Sequence, residues 1–219
     1  FLSTGNGNKE PDYLKKGEGM YNKNEADQGF RSRFSHVTDR GGVSCTLCAH
    51  GCILQNGQRG LCGVRERRGD ELISLVYGRV VAENVDPIEK KPIFHVVPGS
   101  LSYSIATAGC NFSCLHCQNA SISQVSSQRD LQQPGGIRKP GEIVDGAVAA
   151  GCLSISYTYV EPTVFFEFAY DCCLEARQRG LYNIFVSNGY MSAEIVQRLR
   201  SVLTAINIDL KSYNNDFYR

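Results

Sequence analysis

Residues 109–117 decide the fold, and they read Gly109-Cys110-Asn111-Phe112-Ser113-Cys114-Leu115-His116-Cys117. Three thiolates within eight residues, in the spacing CxxxCxxC, cannot enclose a tetrahedral ion by themselves. They can hold three corners of a cubane [4Fe–4S] cluster, which leaves the fourth iron open to a small molecule. Gly109 permits the tight chain reversal that such a cluster needs. A zinc site with His116 as its fourth ligand is the alternative interpretation.

Strands and helices are predicted to alternate around this stretch. The residue pattern predicts strands at 101–107, 153–159, 181–186 and 205–210, helices at 140–150 and 163–179, and a further helix capped by Ser192. Such alternation predicts parallel βα units. A closed eight-stranded barrel is impossible within these residues, so we expect more protein after Arg219. The start at Phe1, without Met, likewise predicts a fragment.

The composition excludes several classes of function. The 219 residues carry 23 Lys and Arg against 22 Asp and Glu, and a net charge of +1 gives no basic surface for nucleic acid or an acidic membrane. No apolar run approaches the length of a membrane span. The chain is too long to need disulfide staples. Its 10 cysteines therefore indicate metal, because most of them fall in two tight clusters.

The chain divides into four predicted segments. Residues 1–40 are expected to be a flexible arm, because they carry many charges and few apolar side chains. Residues 41–70 hold the first cysteine cluster. Residues 71–100 are predicted to form a β-hairpin around Gly78 followed by a proline-punctuated connector. Residues 101–219 form the core that contains the strands described above.

The first cysteine cluster has the spacing Cys45-x2-Cys48-x3-Cys52-x9-Cys62, which places four thiols within 18 residues. This spacing predicts a closed metal site, and zinc or an auxiliary iron–sulfur cluster would each accept four thiolates. The metal either staples a segment poor in core residues or relays electrons, and both interpretations stay open. Three further cysteines are predicted to be inert core thiols, namely Cys152, Cys172 and Cys173.

The candidate site residues follow the ends of successive strands. The three cysteines of the CxxxCxxC stretch follow the carboxyl end of the first predicted strand. The carboxyl ends of the later strands contribute Tyr159, Val160, Glu161, Ser187, Asn188, Gly189, Asp209 and Lys211. The carboxyl ends of parallel strands share one rim, so the pattern alone predicts that these residues meet. In contrast, four charged residues are predicted to face solvent, namely Arg65, Arg67, Arg68 and Glu167.

Six stretches of the chain carry a resemblance to a known family. In chain order they read CTLCAHGCILQNGQRGLCGVR, DPIEKKPIFHVVPGS, TAGCNFSCLHCQN, TYVEPTVFFEFAYD, IFVSNGY and IDLKSY. They resemble the radical S-adenosylmethionine (SAM) superfamily and, more narrowly, the AmmeMemoRadiSam-system radical SAM enzymes, which are relatives of pyruvate formate-lyase activating enzymes. The resemblance implies an α/β fold. The expected form is a partial (βα) TIM-type radical SAM barrel, truncated after the fourth strand, with a small N-terminal Cys-rich metal-binding segment.

The resemblance also implies an oxidoreductase. A [4Fe–4S] cluster would sit on Cys110, Cys114 and Cys117, and SAM would chelate the open iron. An electron from an external flavodoxin- or ferredoxin-like donor would cleave SAM into methionine and a 5′-deoxyadenosyl radical that abstracts hydrogen from a substrate. The kinship with activating enzymes suggests a glycyl residue of a partner protein as that substrate.

Further roles follow from the same resemblance. Backbone groups around Tyr159 and Val160 would hold the SAM amino group, although these residues replace the two glycines of the superfamily's Gly-Gly-Glu-Pro turn and Val160 stands where the narrower family usually has Asn. Asn188 and Gly189, beside Ser187, would border the ribose, and His116 would lie near the adenine unless it is a plain loop residue. Lys211 could neutralise the SAM carboxylate. Asp209 would orient Lys211 or form a structural ion pair.

A non-catalytic iron–sulfur or zinc scaffold, or an electron-transfer protein, is the alternative function. Such a carrier needs a fourth cysteine on the second cluster, and the only candidate, Cys152, falls at the opposite end of its strand. Exposed thiolates and a labile cluster predict a reducing compartment. The cytoplasm is the first expectation, and an organelle matrix or stroma is the alternative. Neither nucleic acid nor a membrane is expected as a partner.

Overall fold

A computed structural model describes residues 29–125, 131 and 137–218 of the chain. Two small antiparallel sheets come first. Their strands are β1 (Phe30–Arg31), β2 (Ser35–Val37), β3 (Val43–Cys45), β4 (Ile53–Leu54), β5 (Arg65–Arg68) and β6 (Glu71–Ser74). One sheet has the order β1-β6-β5 and the other β2-β3-β4, so the first cysteine cluster lies within a β-rich segment.

The predicted flexible arm is wrong for residues 29–40. Phe30 is paired with Ser74 in the first sheet, and its ring stacks on Tyr77 at 4.0 Å between centroids. Phe34 is buried and meets the ring of Phe166 edge-on. These isolated aromatic residues gain partners from distant parts of the chain, which a local pattern does not reveal. The rest of the predicted arm, residues 1–28, lies outside the described residues.

The main sheet positions the site. Its strands are β7 (Val80–Pro87), β8 (Leu101–Thr107), β9 (Ser154–Tyr157), β10 (Tyr182–Ser187) and β11 (Ala205–Ile208), in the order β11-β10-β9-β8-β7. The four strands β8 to β11 are parallel to one another, whereas β7 is antiparallel to β8. The predicted parallel strands are therefore confirmed as one contiguous sheet.

The predicted hairpin around Gly78 does not form. The strand before it, β6, pairs with β1 and β5, and the strand after it, β7, pairs along its length with β8. Gly78 has a φ of +71° and accommodates the turn between β6 of the first small sheet and β7 of the main sheet. The strand β7 also takes up the start of the predicted connector, because it continues to Pro87 before a 3-10 turn at Ile88–Lys90.

Four helices are described between the main strands, namely α1 (Ala120–Ser123), α2 (Pro140–Ala149), α3 (Phe166–Gln178) and α4 (Ala193–Leu199). The Ser192 hydroxyl accepts a hydrogen bond from the backbone N–H of Ile195, so the predicted cap of α4 is confirmed. A 3-10 turn at Pro162–Phe165 precedes α3. None of the helices in the described part of the chain has the length and apolar character needed to cross a membrane.

Apolar side chains from the strands and from α2 and α3 form the core. The fully buried set includes Ile105, Ile143, Ile155, Tyr157, Phe168 and Phe185. Cys152, Cys172 and Cys173 are also buried, which confirms that they are core thiols. Cys152 comes just before β9, at the end of the sheet opposite the cysteine loop, and is therefore too remote to be a fourth ligand there.

Candidate active site

A cavity of about 740 Å³ lies at the carboxyl ends of β8, β9, β10 and β11. It brings together the three cysteines of the CxxxCxxC loop with the predicted residues His116, Tyr159, Val160, Glu161, Ser187, Asn188, Asp209 and Lys211. Gly189, the remaining predicted residue, instead borders a groove between α4 and β11. The convergence expected from the strand pattern is thus present in the structure.

The loop that holds the three cysteines rests on the amino-terminal segment at Gly109. This residue has a φ of +95°, and a Cβ atom there would lie 2.5 Å from Cγ1 of Val64 and 2.9 Å from the carbonyl oxygen of Cys62. Only glycine permits both the conformation and the close approach. The cysteine loop and the first cysteine segment are therefore in direct contact.

The three thiols of the loop are partly buried, and the loop tip between them is exposed. Burial raises the pKa of Cys110, although the backbone N–H groups of Phe112 and Glu161 act in the opposite direction. The Cys117 sulfur lies 3.4 Å from the hydroxyl of Ser123. Leu115 is fully exposed at the loop tip. All three sulfurs thus have access to the cavity from a loop that reaches the surface.

Glu161 ties the end of β9 to the end of β10. Its buried carboxylate accepts hydrogen bonds from the hydroxyl of Ser187 at 2.9 and 3.0 Å and from the backbone N–H of Asn188 at 2.8 Å. The hydroxyl and the backbone N–H of Thr163 also donate to it. Burial raises the pKa of Glu161 despite these hydrogen bonds, which favour the charged form. The buried carboxylate therefore holds the carboxyl ends of β9 and β10 together at the cavity.

Tyr159 adopts a left-handed backbone conformation with a φ of +67°. Its carbonyl oxygen accepts a hydrogen bond from the Asn119 side chain at 2.8 Å. Its hydroxyl donates to Asp86 at 2.5 Å, and the ammonium group of Lys91 lies 4.8 Å from the centre of its ring. Left-handed backbone is unfavourable for a bulky residue, so these contacts offset the strain at the turn.

Asp86 is a site residue that the sequence pattern did not single out. Its carboxylate receives Lys90 at 2.7 Å and the buried Lys91 at 2.6 Å, in addition to Tyr159. Burial alone would raise the pKa of Asp86, but the hydrogen bonds from these three residues outweigh it and hold the pKa well below its usual range. The ionised carboxylate of Asp86 therefore joins the DPIEKKP stretch to Tyr159 at the end of β9.

Asp209 and Lys211 form an ion pair at the end of β11. The Nζ of Lys211 lies 3.0 Å from Oδ2 of Asp209, and both side chains are partly exposed in the cavity. The hydroxyl of Tyr218 accepts a hydrogen bond from the backbone N–H of Lys211, and the hydroxyl of Tyr190 donates to the carbonyl oxygen of Tyr218. Both predicted roles of Asp209, orienting Lys211 and forming a structural ion pair, require this contact.

Asn111 is a further residue that the sequence analysis missed. Its Oδ1 accepts a hydrogen bond from the Asn188 side chain at 2.7 Å, and its carbonyl oxygen lies 2.8 Å from Nε2 of His50. Its Nδ2 is buried without a hydrogen-bond partner among the described residues. Asn111 directly follows the first cysteine of the loop, and that position is the only local signal of its importance.

The four cysteines of the first cluster line a second, smaller cavity. Burial raises the pKa of Cys45, Cys48 and Cys62 to about 11 in each case. Nearby backbone N–H groups, from Leu47, His50 and Val64 respectively, favour the thiolate form. No group of three or more His, Cys, Asp or Glu side chains is placed to hold a single metal ion within residues 29–125, 131 and 137–218.

Arg65 and Glu167 form a buried ion pair beside this second cavity, so both predictions of a solvent-facing side chain are wrong. The guanidinium donates to Glu167 at 2.5 and 2.7 Å and to the carbonyl oxygen of Val164 at 2.8 and 3.0 Å. Ser32 also donates to Glu167. Burial opposes both charges, but their attraction outweighs it, which lowers the pKa of Glu167 and raises that of Arg65.

The other two arginines differ in exposure. Arg67 is also largely buried, donating to the carbonyl oxygens of Gly41, Leu54 and Gly69. Arg68 is partly exposed and pairs with Glu66 at 2.7 Å. The prediction of a solvent-exposed side chain is therefore wrong for Arg67 as well as for Arg65. The long side chain of Arg67 carries several N–H donors, and they satisfy backbone carbonyl groups that point into the protein.

A parallel βα sheet with three cysteines on the loop after its first parallel strand is the arrangement expected of an iron–sulfur protein with an open coordination position. The sequence profile described as "Radical SAM superfamily" matches residues 104–219, and the chain belongs to that superfamily. The chain is 43% identical over 186 residues to "Uncharacterized protein MJ0808" of Methanocaldococcus jannaschii, which covers 85% of this chain and 54% of the relative. The chain thus spans about half the length of that relative.

Membership of the superfamily implies a [4Fe–4S] cluster and SAM as cofactors. The residues present fit both groups. Three thiols face one cavity without a fourth cysteine, and the volume falls within the roughly 300–1,000 Å³ that is typical of ligand sites. Polar groups at the three other strand ends surround the same space.

Proposed function

We propose that this chain uses the cavity at the strand ends to bind SAM beside a [4Fe–4S] cluster, and that its substrate is a glycyl residue of a partner protein. The observation that supports this most directly is the shared cavity of three thiols and the rim residues from four strands. When bound, the cluster and SAM supply a 5′-deoxyadenosyl radical that removes a hydrogen atom. The narrower kinship with activating enzymes is part of the proposal.

The chain's own residues would bind and orient SAM. Cys110, Cys114 and Cys117 hold the cluster, and the ammonium group of Lys211, steadied by Asp209, meets the SAM carboxylate. Backbone groups of Tyr159 and Val160 would receive the amino group. Asn188 and the exposed His116 both line the cavity, where Asn188 would border the ribose and His116 would lie near the adenine.

A protein substrate agrees with the accessibility of the loop. Leu115 lies between Cys114 and His116 and is fully exposed, so an apolar side chain stands at the surface next to the cluster ligands. An exposed loop leaves the cysteines within reach of a substrate as large as a protein. The same exposed loop gives a flavodoxin- or ferredoxin-like electron donor access to the cluster. We expect the protein to work in a reducing compartment, with the cytoplasm first.

The cofactor assignment is tested by anaerobic reconstitution, reduction, and electron paramagnetic resonance (EPR) with and without SAM. We expect a [4Fe–4S]⁺ signal that shifts when SAM is added, together with formation of 5′-deoxyadenosine. Cys114→Ala should abolish both the shift and the product. Cys152→Ala removes a buried thiol far from the cavity and is the matched control. An EPR signal that does not change when SAM is added would overturn the cofactor assignment and favour a scaffold or electron carrier.

The substrate assignment needs a separate experiment. The reduced protein is mixed with SAM and candidate partner proteins, and the mixture is searched for the doublet EPR signal of a glycyl radical. A doublet that disappears when the partner's glycine is replaced by alanine supports a protein substrate. SAM turnover that depends only on small molecules contradicts it, while leaving the cofactor assignment intact.

A further inference from the structure

Arg65 reaches from the first cysteine segment to the turn that follows Glu161. Its guanidinium is buried, and its Nε and Nη2 atoms donate hydrogen bonds to the carbonyl oxygen of Val164 at 3.0 and 2.8 Å. Two further hydrogen bonds, of 2.7 and 2.5 Å, go to the carboxylate of Glu167. Val164 lies in the 3-10 turn before α3, and Glu167 lies in the first turn of α3. One side chain of β5 therefore holds two parts of a segment that is 99 to 102 positions further along the chain.

The 3-10 turn continues directly from the wall of the large cavity. The turn begins at Pro162, and the three residues before it, which end with Glu161, line the cavity. The backbone N–H of Val164 donates to the carbonyl oxygen of Glu161 at 3.2 Å. Val164 therefore contacts Arg65 through its carbonyl group and Glu161 through its N–H group.

Glu161 in turn fixes the end of β10. Its carboxylate accepts a hydrogen bond of 3.1 Å from the backbone N–H of Thr163, within the 3-10 turn. The same carboxylate accepts the backbone N–H of Asn188 at 2.8 Å and the hydroxyl of Ser187. These hydrogen bonds connect the turn to the end of β10, so a displacement of the turn should also displace Asn188.

We propose that Arg65 is a positioning residue for the SAM site, and that the first cysteine segment thereby sets the affinity of the large cavity for SAM. Arg65 does not line that cavity. It would act through Val164 on the strand end that contains Glu161, and through Glu161 on Asn188. This role rests on the proposed function, because SAM is the ligand that the cavity is proposed to hold. It does not depend on what the four cysteines of the first cluster bind.

The contacts require an arginine rather than any cation. The guanidinium is a planar fork with five N–H donors, whereas the lysine ammonium is a compact point charge with three. A lysine side chain could face the carboxylate of Glu167, but it would not also donate twice to the carbonyl oxygen of Val164. Arg65→Lys therefore keeps the buried charge pair and loosens the turn.

The test must separate positioning from stability, because removing one charge of a buried pair destabilises the fold. Arg65→Met/Glu167→Leu removes both charges together. We expect the Kd of this double variant for SAM, measured with the oxidised cluster, to rise by about 10-fold. Before SAM is added, the backbone at residues 161–163 and 187–189 should exchange deuterium faster than in the parent chain, while exchange in α2 stays unchanged. Mass spectrometry of peptides from the reconstituted protein measures this exchange.

Arg138→Met/Glu83→Leu is the matched control. It removes another arginine–glutamate pair, with a distance of 2.6 Å, whose residues lie outside both cavities. This control should leave the Kd for SAM and the exchange at residues 161–163 and 187–189 unchanged. If the double variant of Arg65 does not fold, Arg65→Lys replaces it and should show the same two changes.

The outcomes distinguish this role from the proposed function. A folded Arg65 variant whose Kd for SAM equals that of the control overturns the positioning role, whether or not its exchange is faster. A raised Kd without faster exchange at residues 187–189 overturns the route through Glu161. A parent chain that binds no SAM overturns the proposed function and, with it, the effect of Arg65 on SAM affinity.

Discussion

The side-chain amide of Asn188 donates a hydrogen bond of 2.7 Å to Oδ1 of Asn111 and so joins the loop after β10 to the loop that carries the cysteines. Asn188 is itself held by Glu161, which accepts its backbone N–H. The ends of β8, β9 and β10 are therefore linked by one chain of hydrogen bonds. These hydrogen bonds tie the cysteine loop to residues of two other strand ends.

Asn188→Ala tests this link. The substitution removes the donor to Asn111 and also the acceptor for the backbone N–H of Tyr190. Since a typical hydrogen bond contributes about 1 kcal/mol, we expect SAM-dependent formation of 5′-deoxyadenosine to fall by roughly 5- to 30-fold. Asn56→Ala is the control, because Asn56 also accepts a loop N–H, from Gly69, but lies outside the cavity. Equal product from the two variants would refute the link.

The buried ion pair of Arg65 and Glu167 predicts a large effect on stability. Arg65→Met leaves the Glu167 carboxylate buried with only Ser32 as a described side-chain donor, and we expect a loss of about 3–5 kcal/mol in the free energy of unfolding. The double variant Arg65→Met/Glu167→Leu removes both charges and should recover much of that loss. Urea unfolding of the two variants and the parent gives the comparison. A double variant no more stable than the single one would contradict this account.

The same pair predicts a dependence on pH. The folded state lowers the pKa of Glu167 below its ordinary value, so the folded chain binds fewer protons there than the unfolded chain. The pair's contribution is therefore complete above the ordinary pKa of a glutamate and is lost as the pH falls through the lowered folded value. We therefore expect the parent to lose stability relative to the double variant on acidification. A difference that does not change between neutral pH and about pH 3 would disprove the ionised pair.

The sequence reveals the site residues that directly follow a strand, because alternating strands and helices place the carboxyl ends of all the parallel strands at one edge of the sheet. It does not reveal their partners, since the hydrogen bonds from Asn188 to Asn111 and from Tyr159 to Asp86 join residues 77 and 73 positions apart. Glu167 shows the same limit, because its partner Arg65 is 102 positions away. One signal for Glu167 was present. An acid between Phe166 and Phe168 on a buried helix requires a buried partner.

Lys211→Ala tests the recognition of the SAM carboxylate. The ion pair with Asp209 is partly exposed, so its loss should change the free energy of unfolding by less than about 1 kcal/mol. Loss of an ammonium group opposite a carboxylate should instead raise the Kd for SAM by about 10-fold. Lys211→Arg keeps the charge and should retain most of the affinity. Calorimetric titration with SAM of the protein carrying the oxidised [4Fe–4S]²⁺ cluster, which binds SAM without cleaving it, measures this, and an unchanged Kd would assign Lys211 a structural role alone.

Tyr159→Phe tests whether the tyrosine hydroxyl holds the strained turn in place. The variant keeps the ring under Lys91 but loses the hydrogen bond to the ionised Asp86, a contact of a kind that contributes about 1.5–3 kcal/mol. Because Tyr159 holds a φ of +67°, we expect the turn to relax and the Kd for SAM to rise by about 10-fold. Tyr182→Phe, at the amino end of β10, is the matched control and should leave the Kd unchanged.

Tyr159→Gly separates strain from anchoring. Glycine adopts the left-handed conformation without penalty, which removes a cost of about 1–2 kcal/mol, but it also loses the contacts to Asp86 and Lys91. If anchoring matters, Tyr159→Gly should bind SAM as weakly as Tyr159→Phe while unfolding at a similar urea concentration to the parent. If glycine instead restores full affinity, the hydroxyl serves only to offset the strain of a bulky residue at this turn, and Asp86 has no further part in placing SAM.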